Sequence, residues 1–173
     1  MVKAASRRAG GFTYIGLLIV VAIVGLGAAM SLSLGVMAQR RQVEDELLFT
    51  GLQYKRAIRS YFEATPPGMT ATPPARLEDL LRDPRYPSPR RHLRRLYPDP
   101  VTGQADWALI RSMDGRGILG VRSRSTDAPL RVDHFPEEFF HFKGRKRYAD
   151  WLFVYGVVCS DTGCEIDPAQ NAN

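Results

Sequence analysis

Hydrophobic residues form one continuous block near the start of the chain and a periodic pattern after it. No charged residue lies between Arg8 and Arg40, and this stretch consists mainly of Ile, Leu, Val, Ala and Gly. Beyond Arg40 the apolar residues recur at helical spacing. Because no proline interrupts either part, the pattern predicts one continuous helix from about residue 12 to residue 62.

The second part of this helix is predicted to carry an apolar stripe for a packed domain. The stripe consists of Leu47, Leu48, Leu52, Ile58, Tyr61 and Phe62. Charges at Glu44, Asp45, Lys55, Arg56 and Arg59 are expected largely on the opposite side of the helix. Prolines and a glycine in residues 65–74 then end the helix.

Shorter elements follow the prolines. We predict a second helix over residues 75–82, an arginine-rich loop over 85–103, and strands over 107–112, 117–123 and 151–159. The aromatic residues of the FFHF and WLFVY segments are expected in the core. The predicted fold class is α+β, with a long N-terminal helix that packs through its C-terminal half on a small antiparallel sheet.

The apolar block also predicts a membrane span. A bilayer core requires about 20 apolar residues in a helix, and residues 12–38 exceed that length. A secretory signal has an apolar region of about 7–15 residues with its small cleavage residues after it. Cleavage after Ala38 by a signal peptidase and an uncleaved single-pass anchor are the alternatives to the interpretation that follows.

The junction before the block resembles the signal of type IV prepilins and type II secretion pseudopilins. The matching residues are Gly11, Phe12, Thr13, Ile15, Leu17, Leu18, Ile19, Val20 and Val21. The resemblance is strong over about residues 7–35 and weak over the rest of the chain. It implies cleavage after Gly11 by a prepilin peptidase and N-methylation of Phe12.

One position departs from the family pattern. The glutamate that family members carry fifth after the cleavage site is Gly16 in this chain. In the family, that carboxylate is thought to neutralise the N-terminal amine of a neighbouring subunit. Its absence favours a minor or initiating subunit over a bulk one, while an ordinary subunit that tolerates Gly16 is the alternative.

The resemblance implies a division of the chain into five parts. These are a cleaved leader (1–11), a transmembrane half-helix (12–38), a periplasmic half-helix (39–64), a globular α+β head (65–167) and a disordered tail (168–173). The expected localisation is the inner membrane as a single-pass protein. The N-terminus would lie in the cytoplasm, the head in the periplasm, and the subunit would enter a periplasmic filament.

The expected function is that of a type II secretion pseudopilin, a filament subunit that drives protein export and is not an enzyme. A minor type IV pilin for adhesion, motility or DNA uptake, and a non-polymerising anchored binding domain, are the alternatives. The expected partners are other pseudopilins or pilins, the prepilin peptidase, the inner-membrane assembly platform and membrane lipid. The net charge of +6 includes Lys3, Arg7 and Arg8 of the leader, so it says little about a nucleic-acid partner, and none is expected.

The remaining candidates are two cysteines, an arginine run and scattered histidines. A strand, a turn and a returning strand would place Cys159 opposite Cys164, within reach of a disulfide, with two free thiols as the alternative. The run RRHLRR (90–95) is expected to be a solvated face. The alternatives are contact with lipid head groups, with an acidic neighbour or, less favoured, with nucleic acid. His92, His134 and His141 fit no ligand spacing, so neither a metal site nor a cofactor is predicted.

Overall fold

The computed structural model describes the backbone of residues 12–112, 114–160 and 163–166, and the side chains of residues 14–25, 37–112 and 114–156. The chain forms two compact units, one within residues 1–40 and the other within residues 41–173. The predicted leader and tail lie outside the described residues.

Helix α1 covers Phe12–Glu63, close to the bounds that the sequence predicts. Its residues 12–40 belong to the first unit and its residues 41–63 to the second. The helix ends just before the prolines of residues 65–74, as predicted. There the Thr65 hydroxyl donates a hydrogen bond of 2.8 Å to the carbonyl oxygen of Phe62. This bond satisfies one of the last carbonyls, which have no partner within the helix.

The predicted membrane span over residues 12–38 is not found. Among the residues that the structure describes, no helix combines the length and the apolar character needed to cross a bilayer. The transmembrane part of the predicted fold class and the predicted single-pass inner-membrane localisation are therefore wrong.

The C-terminal unit is α+β and contains a small three-stranded antiparallel sheet. Its strands are β1 (Ala108–Arg111), β2 (Ile118–Arg122) and β3 (Phe153–Val154), in the order β1-β2-β3. Two further strands, β4 (Val157–Ser160) and β5 (Gly163–Ile166), form a separate two-stranded antiparallel sheet.

Two predicted elements differ from those observed. The strand predicted over 151–159 is divided into β3 and β4, and Gly156 between them has φ of +72°. This left-handed conformation interrupts the extended backbone. The second predicted helix is a short 3₁₀ helix, Leu77–Leu80. The carboxylate of Asp79 caps its start by accepting a hydrogen bond from the backbone N–H of Arg76.

The core of the C-terminal unit forms where residues 41–63 of α1 pack against β2 and β3. Fully buried apolar side chains from the helix, the sheet and the loops are Leu47, Ile58, Leu80, Ile118, Val121, Trp151 and Phe153. Gly51 permits this contact, since a Cβ atom at this position would lie 2.3 Å from Cδ1 of Phe153. A helix glycine is thus required by the sheet that packs on it.

An aromatic cluster extends the core beyond the sheet. The rings of Phe142 and Trp151 are stacked with centroids 5.3 Å apart. The rings of Phe139 and Phe142 are also stacked, with centroids 5.3 Å apart. Phe135 contacts Trp151 edge to face at 5.4 Å. The prediction that these segments belong to the core is confirmed for Phe139, Phe142, Trp151 and Phe153, while Tyr155 is half-buried and Phe140 is exposed.

Candidate functional site

The predicted processing site lies at the edge of the described residues. Gly11 is outside them, while Phe12 is the first residue of α1 and its side chain is not described. The cleavage after Gly11 and the N-methylation of Phe12 therefore stay predictions.

The apolar side chains that follow this junction are exposed. Between residues 14 and 24 of α1, each large apolar side chain has 50–66% of its surface accessible. These side chains are Tyr14, Ile15, Leu17, Leu18, Ile19, Val20, Val21, Ile23 and Val24. Successive helix residues are about 100° apart, so the exposed apolar surface surrounds this part of the helix. A helix of this kind is stable when apolar groups of other molecules cover it.

Gly16, where the family has glutamate, is surrounded by open space. A Cβ atom built there would meet no atom of this chain within 4 Å, and the same holds for Gly25. Within the described part of the chain, a longer side chain at residue 16 would therefore meet no steric obstacle. The glycine is not required by contacts inside the described structure.

A buried charged cluster organises the arginine-rich loop. The side chains of Asp83, Arg85 and His92 are at most 9% exposed. Arg85 Nη2 lies 2.7 Å from Asp83 Oδ2, and Arg85 Nε donates to Asp83 Oδ1 at 2.9 Å. His92 Nε2 lies 3.3 Å from Asp83 Oδ2. The arginine thus neutralises a carboxylate that would otherwise be unpaired in the interior.

The same arginine caps the C-terminal end of α1. Arg85 donates to the carbonyl oxygen of Tyr61 and to Oγ1 of Thr65, and its guanidinium carbon lies 3.7 Å from the centroid of the Tyr61 ring. Tyr86 donates its hydroxyl proton to the carbonyl oxygen of Ala64. A cation is favoured at the C-terminus of a helix because the last carbonyls carry partial negative charge. The loop is thereby fixed to the helix end.

Ser60, His92 and Asp83 form a chain of hydrogen bonds whose residue types occur in hydrolases. Ser60 Oγ lies 2.9 Å from Nδ1 of His92, and Nε2 of His92 faces Asp83. In a serine hydrolase the serine faces Nε2 and the aspartate Nδ1, so the order is reversed here. Ser60 also lies within α1, where backbone N–H groups are used inside the helix and are not free to bind an oxyanion. The geometry favours a positioning role for this cluster.

Burial shifts the pKa of His92 and the Asp83 network opposes that shift only in part. Burial lowers the pKa of His92 from 6.5, while the Asp83 carboxylate acts in the other direction. Burial alone would raise the pKa of Asp83, but hydrogen bonds from Arg85 hold it below 3.8. Burial also lowers the pKa of His141 from 6.5. The folded chain therefore favours neutral His92 and His141 and an ionised Asp83.

We expect the free energy of unfolding to decrease as the pH falls below about 6.5. A histidine with a lowered pKa binds its proton more weakly in the folded state, so protonation favours the unfolded chain as the pH decreases. Urea unfolding between pH 7.5 and 5 measures this slope. Because His92 and His141 both contribute, His92→Gln should reduce the slope without removing it. A stability that is constant or increases towards pH 5 would contradict the expectation.

The sequence pattern did not reveal the role of Glu44. Helical periodicity predicts this residue on the solvent side of the helix, but it is 2% exposed. Its carboxylate accepts hydrogen bonds from the backbone N–H groups of Leu130 and Arg131 and from the hydroxyl of Tyr148 at 2.9 Å. The next residue, Asp45, is exposed and pairs with Arg131 at 2.8 Å. The loop that covers Glu44 lies more than eighty positions away in sequence, which is why helical periodicity does not predict the contact.

The predicted cysteine pair is placed in register by the backbone. Cys159 of β4 is the partner of Cys164 of β5 in the antiparallel pairing. Opposed residues in such a pair have Cα atoms about 4.5–5.5 Å apart, a separation that a disulfide can bridge. Their side chains lie outside the described ones, so the disulfide stays a prediction.

The three histidines lie in different surroundings. His92 belongs to the buried cluster, His141 lies 3.4 Å from the carbonyl oxygen of Leu152, and His134 has φ of +59° in a loop. Within residues 12–112, 114–160 and 163–166, no group of histidine, cysteine and acidic side chains is arranged to hold a metal ion.

Comparison with known proteins adds no relative to this chain. No family model matches the sequence, and neither a curated protein nor a solved structure is significantly similar to it. The resemblance of the N-terminal junction to prepilins therefore stays a prediction based on the residues themselves.

Proposed function

We propose that this chain is a pseudopilin subunit of a type II secretion system. It assembles through its N-terminal helix with similar subunits into a filament that drives protein export. The chain is a structural subunit and a substrate of the prepilin peptidase, and it is not itself an enzyme. Its partners are other pilin-like subunits.

The exposed apolar surface of α1 between residues 14 and 24 carries this proposal. Apolar surface removed from water contributes about 25 cal/mol per Å², so an apolar helix surface of this kind favours association. The helices of similar subunits can cover it from several sides at once, as in a helical bundle. Gly16 and Gly25 add open positions where another helix can approach closely.

The C-terminal unit supports the same role. Residues 41–63 of α1 are held in its core by Glu44 and, at the helix end, by Arg85. Both contacts join the helix to distant loops through buried charged groups, which resist separation because an unpaired buried charge is unfavourable. A force applied to this part of the helix would therefore move the whole head.

Gly16 suggests which subunit of the filament this chain provides. A subunit without a carboxylate at this position cannot neutralise the N-terminal amine of a neighbour. A minor or initiating subunit has less need of that interaction than one repeated along the filament. We therefore place the chain at a minor or initiating position.

The processing step is tested by substitutions at the leader boundary. We expect Gly11→Val to block cleavage, because the peptidase must accept the residue at the cut, and to prevent entry into filaments. The control variant Gly10→Val makes the same substitution at the neighbouring glycine and should be processed normally. Intact mass of the protein purified from its native host distinguishes the chain with and without residues 1–11. Equal processing of both variants would contradict the proposed site.

A further inference from the structure

A cleft lined by arginines opens on the surface of the C-terminal unit. Its volume is about 400 Å³, and its walls are Leu81, Arg82, Pro89, Arg91 and Arg94. The three arginines are exposed; Arg82 precedes the arginine-rich loop, and Arg91 and Arg94 lie within it. Neither the filament proposal nor the buried Asp83 cluster uses these side chains.

Backbone hydrogen bonds fix the two sides of the cleft against each other. The N–H of Asp83 donates to the carbonyl oxygen of Arg90 at 2.9 Å, and the N–H groups of His92 and Leu93 donate to that of Leu80 at 2.8 and 2.9 Å. Residues 80–83 therefore run beside residues 90–93. The buried pair of Asp83 and Arg85 supports this arrangement from inside. The arginines of the cleft thus project from a preorganised backbone.

The cleft arginines differ from the other arginines of the loop. Arg85 pairs with Asp83, Arg90 donates to the hydroxyl of Tyr86 at 2.9 Å, and Arg95 lies 5.0 Å from the centroid of the Tyr97 ring. For Arg82, Arg91 and Arg94, the described part of the chain provides no hydrogen-bond or ion-pair partner for the guanidinium group. Like charges brought around one cleft repel each other, and an anion between them removes that repulsion.

We propose that this cleft binds an acidic segment of a partner protein, with carboxylates paired to Arg82, Arg91 and Arg94. Guanidinium groups bind carboxylates through two parallel hydrogen bonds. Leu81 and Pro89 supply apolar surface between the charges, which the methylene groups of glutamate side chains can cover. The inference is independent of filament assembly.

The backbone of the cleft favours carboxylates over phosphate. Phosphate sites commonly use backbone N–H groups that converge on the anion. In this cleft Pro89 has no N–H, and the N–H groups of Leu81 and Arg82 already donate to the carbonyl oxygen of Glu78. On this side of the cleft, recognition depends on side-chain charges, which match the spaced carboxylates of a peptide.

The test titrates the full-length chain with a fluorescent octaglutamate peptide, with octaglutamine as the uncharged control. We expect octaglutamate to bind and octaglutamine not to bind. The triple variant Arg82→Gln, Arg91→Gln and Arg94→Gln should weaken octaglutamate binding about tenfold or more. The matched control variant is Arg40→Gln, Arg41→Gln and Arg116→Gln, at three arginines that are also exposed. It changes the net charge equally and should weaken binding less than about threefold.

Three results would overturn the proposal. Equal losses in the two triple variants would show that net charge alone attracts the peptide. Tighter binding of tripolyphosphate than of octaglutamate, lost in the cleft variant, would assign the cleft to phosphate chemistry. Preferential binding of single-stranded DNA at the same arginines would assign it to nucleic acid.

Circular dichroism checks the fold of the variants. If the triple variant is unfolded, the three single variants are compared, and each should weaken octaglutamate binding about threefold.

Discussion

Gly51→Ala should lower the free energy of unfolding by about 2 kcal/mol or more, although alanine is the better helix former. In an open helix position the same change stabilises by about 1 kcal/mol. At residue 51 the added methyl group would lie 2.3 Å from the buried ring of Phe153. Helix and sheet would then have to separate, or the ring would have to leave its position, and both disturb a close-packed core.

Urea unfolding followed by tryptophan fluorescence measures this effect, since Trp107 and Trp151 are both buried in the C-terminal unit. Gly25→Ala is the matched control because it lies in the same helix and a Cβ atom there meets nothing within 4 Å. We expect no loss of stability in the control. The double variant Gly51→Ala, Phe153→Leu should recover part of the loss. A neutral or stabilising effect of Gly51→Ala would contradict the observed helix–sheet contact.

Glu44→Ala should lower the free energy of unfolding by about 3–5 kcal/mol. The substitution removes the acceptor for the N–H groups of Leu130 and Arg131 and for the hydroxyl of Tyr148. It also leaves space where the fully enclosed glutamate side chain packs. Faster amide hydrogen exchange at Leu130 and Arg131 should accompany the loss, because this carboxylate holds both N–H groups.

Asp45→Ala provides the control at the adjacent position. Its carboxylate is 63% exposed and forms a single ion pair with Arg131. Exposed pairs of this kind contribute about 0–1 kcal/mol, so the expected loss is small. Similar losses for the two variants would contradict a structural role specific to Glu44.

Helix α1 shows how much of the fold the sequence predicts. Its end and the burial of Leu47, Leu48, Ile58 and Tyr61 follow from local patterns of apolar residues and prolines. Helical periodicity places these residues on one face without knowledge of the rest of the chain. The burial of Glu44 and the need for Gly51 depend on loops and strands that are distant in sequence, and no local pattern indicates them.

The arginine-rich loop shows the same limit for the candidate site. The sequence indicates a loop rich in prolines and arginines, but it does not distinguish Arg85 from its neighbours. Only the folded chain separates the buried arginine that caps α1 from the exposed arginines of the cleft. The split of residues 151–159 occurs where Gly156 adopts a left-handed backbone, which the aromatic and branched residues around it do not indicate.

The proposed function rests on an apolar helix that is kept by the mature protein and covered by similar subunits. The most direct measurement is the N-terminal residue of the protein isolated from its native host, determined by intact mass and N-terminal sequencing. The account predicts that the mature chain begins at Phe12, with one added methyl group. A chain that begins at Met1, or at Gln39 after removal of the apolar segment, would contradict it.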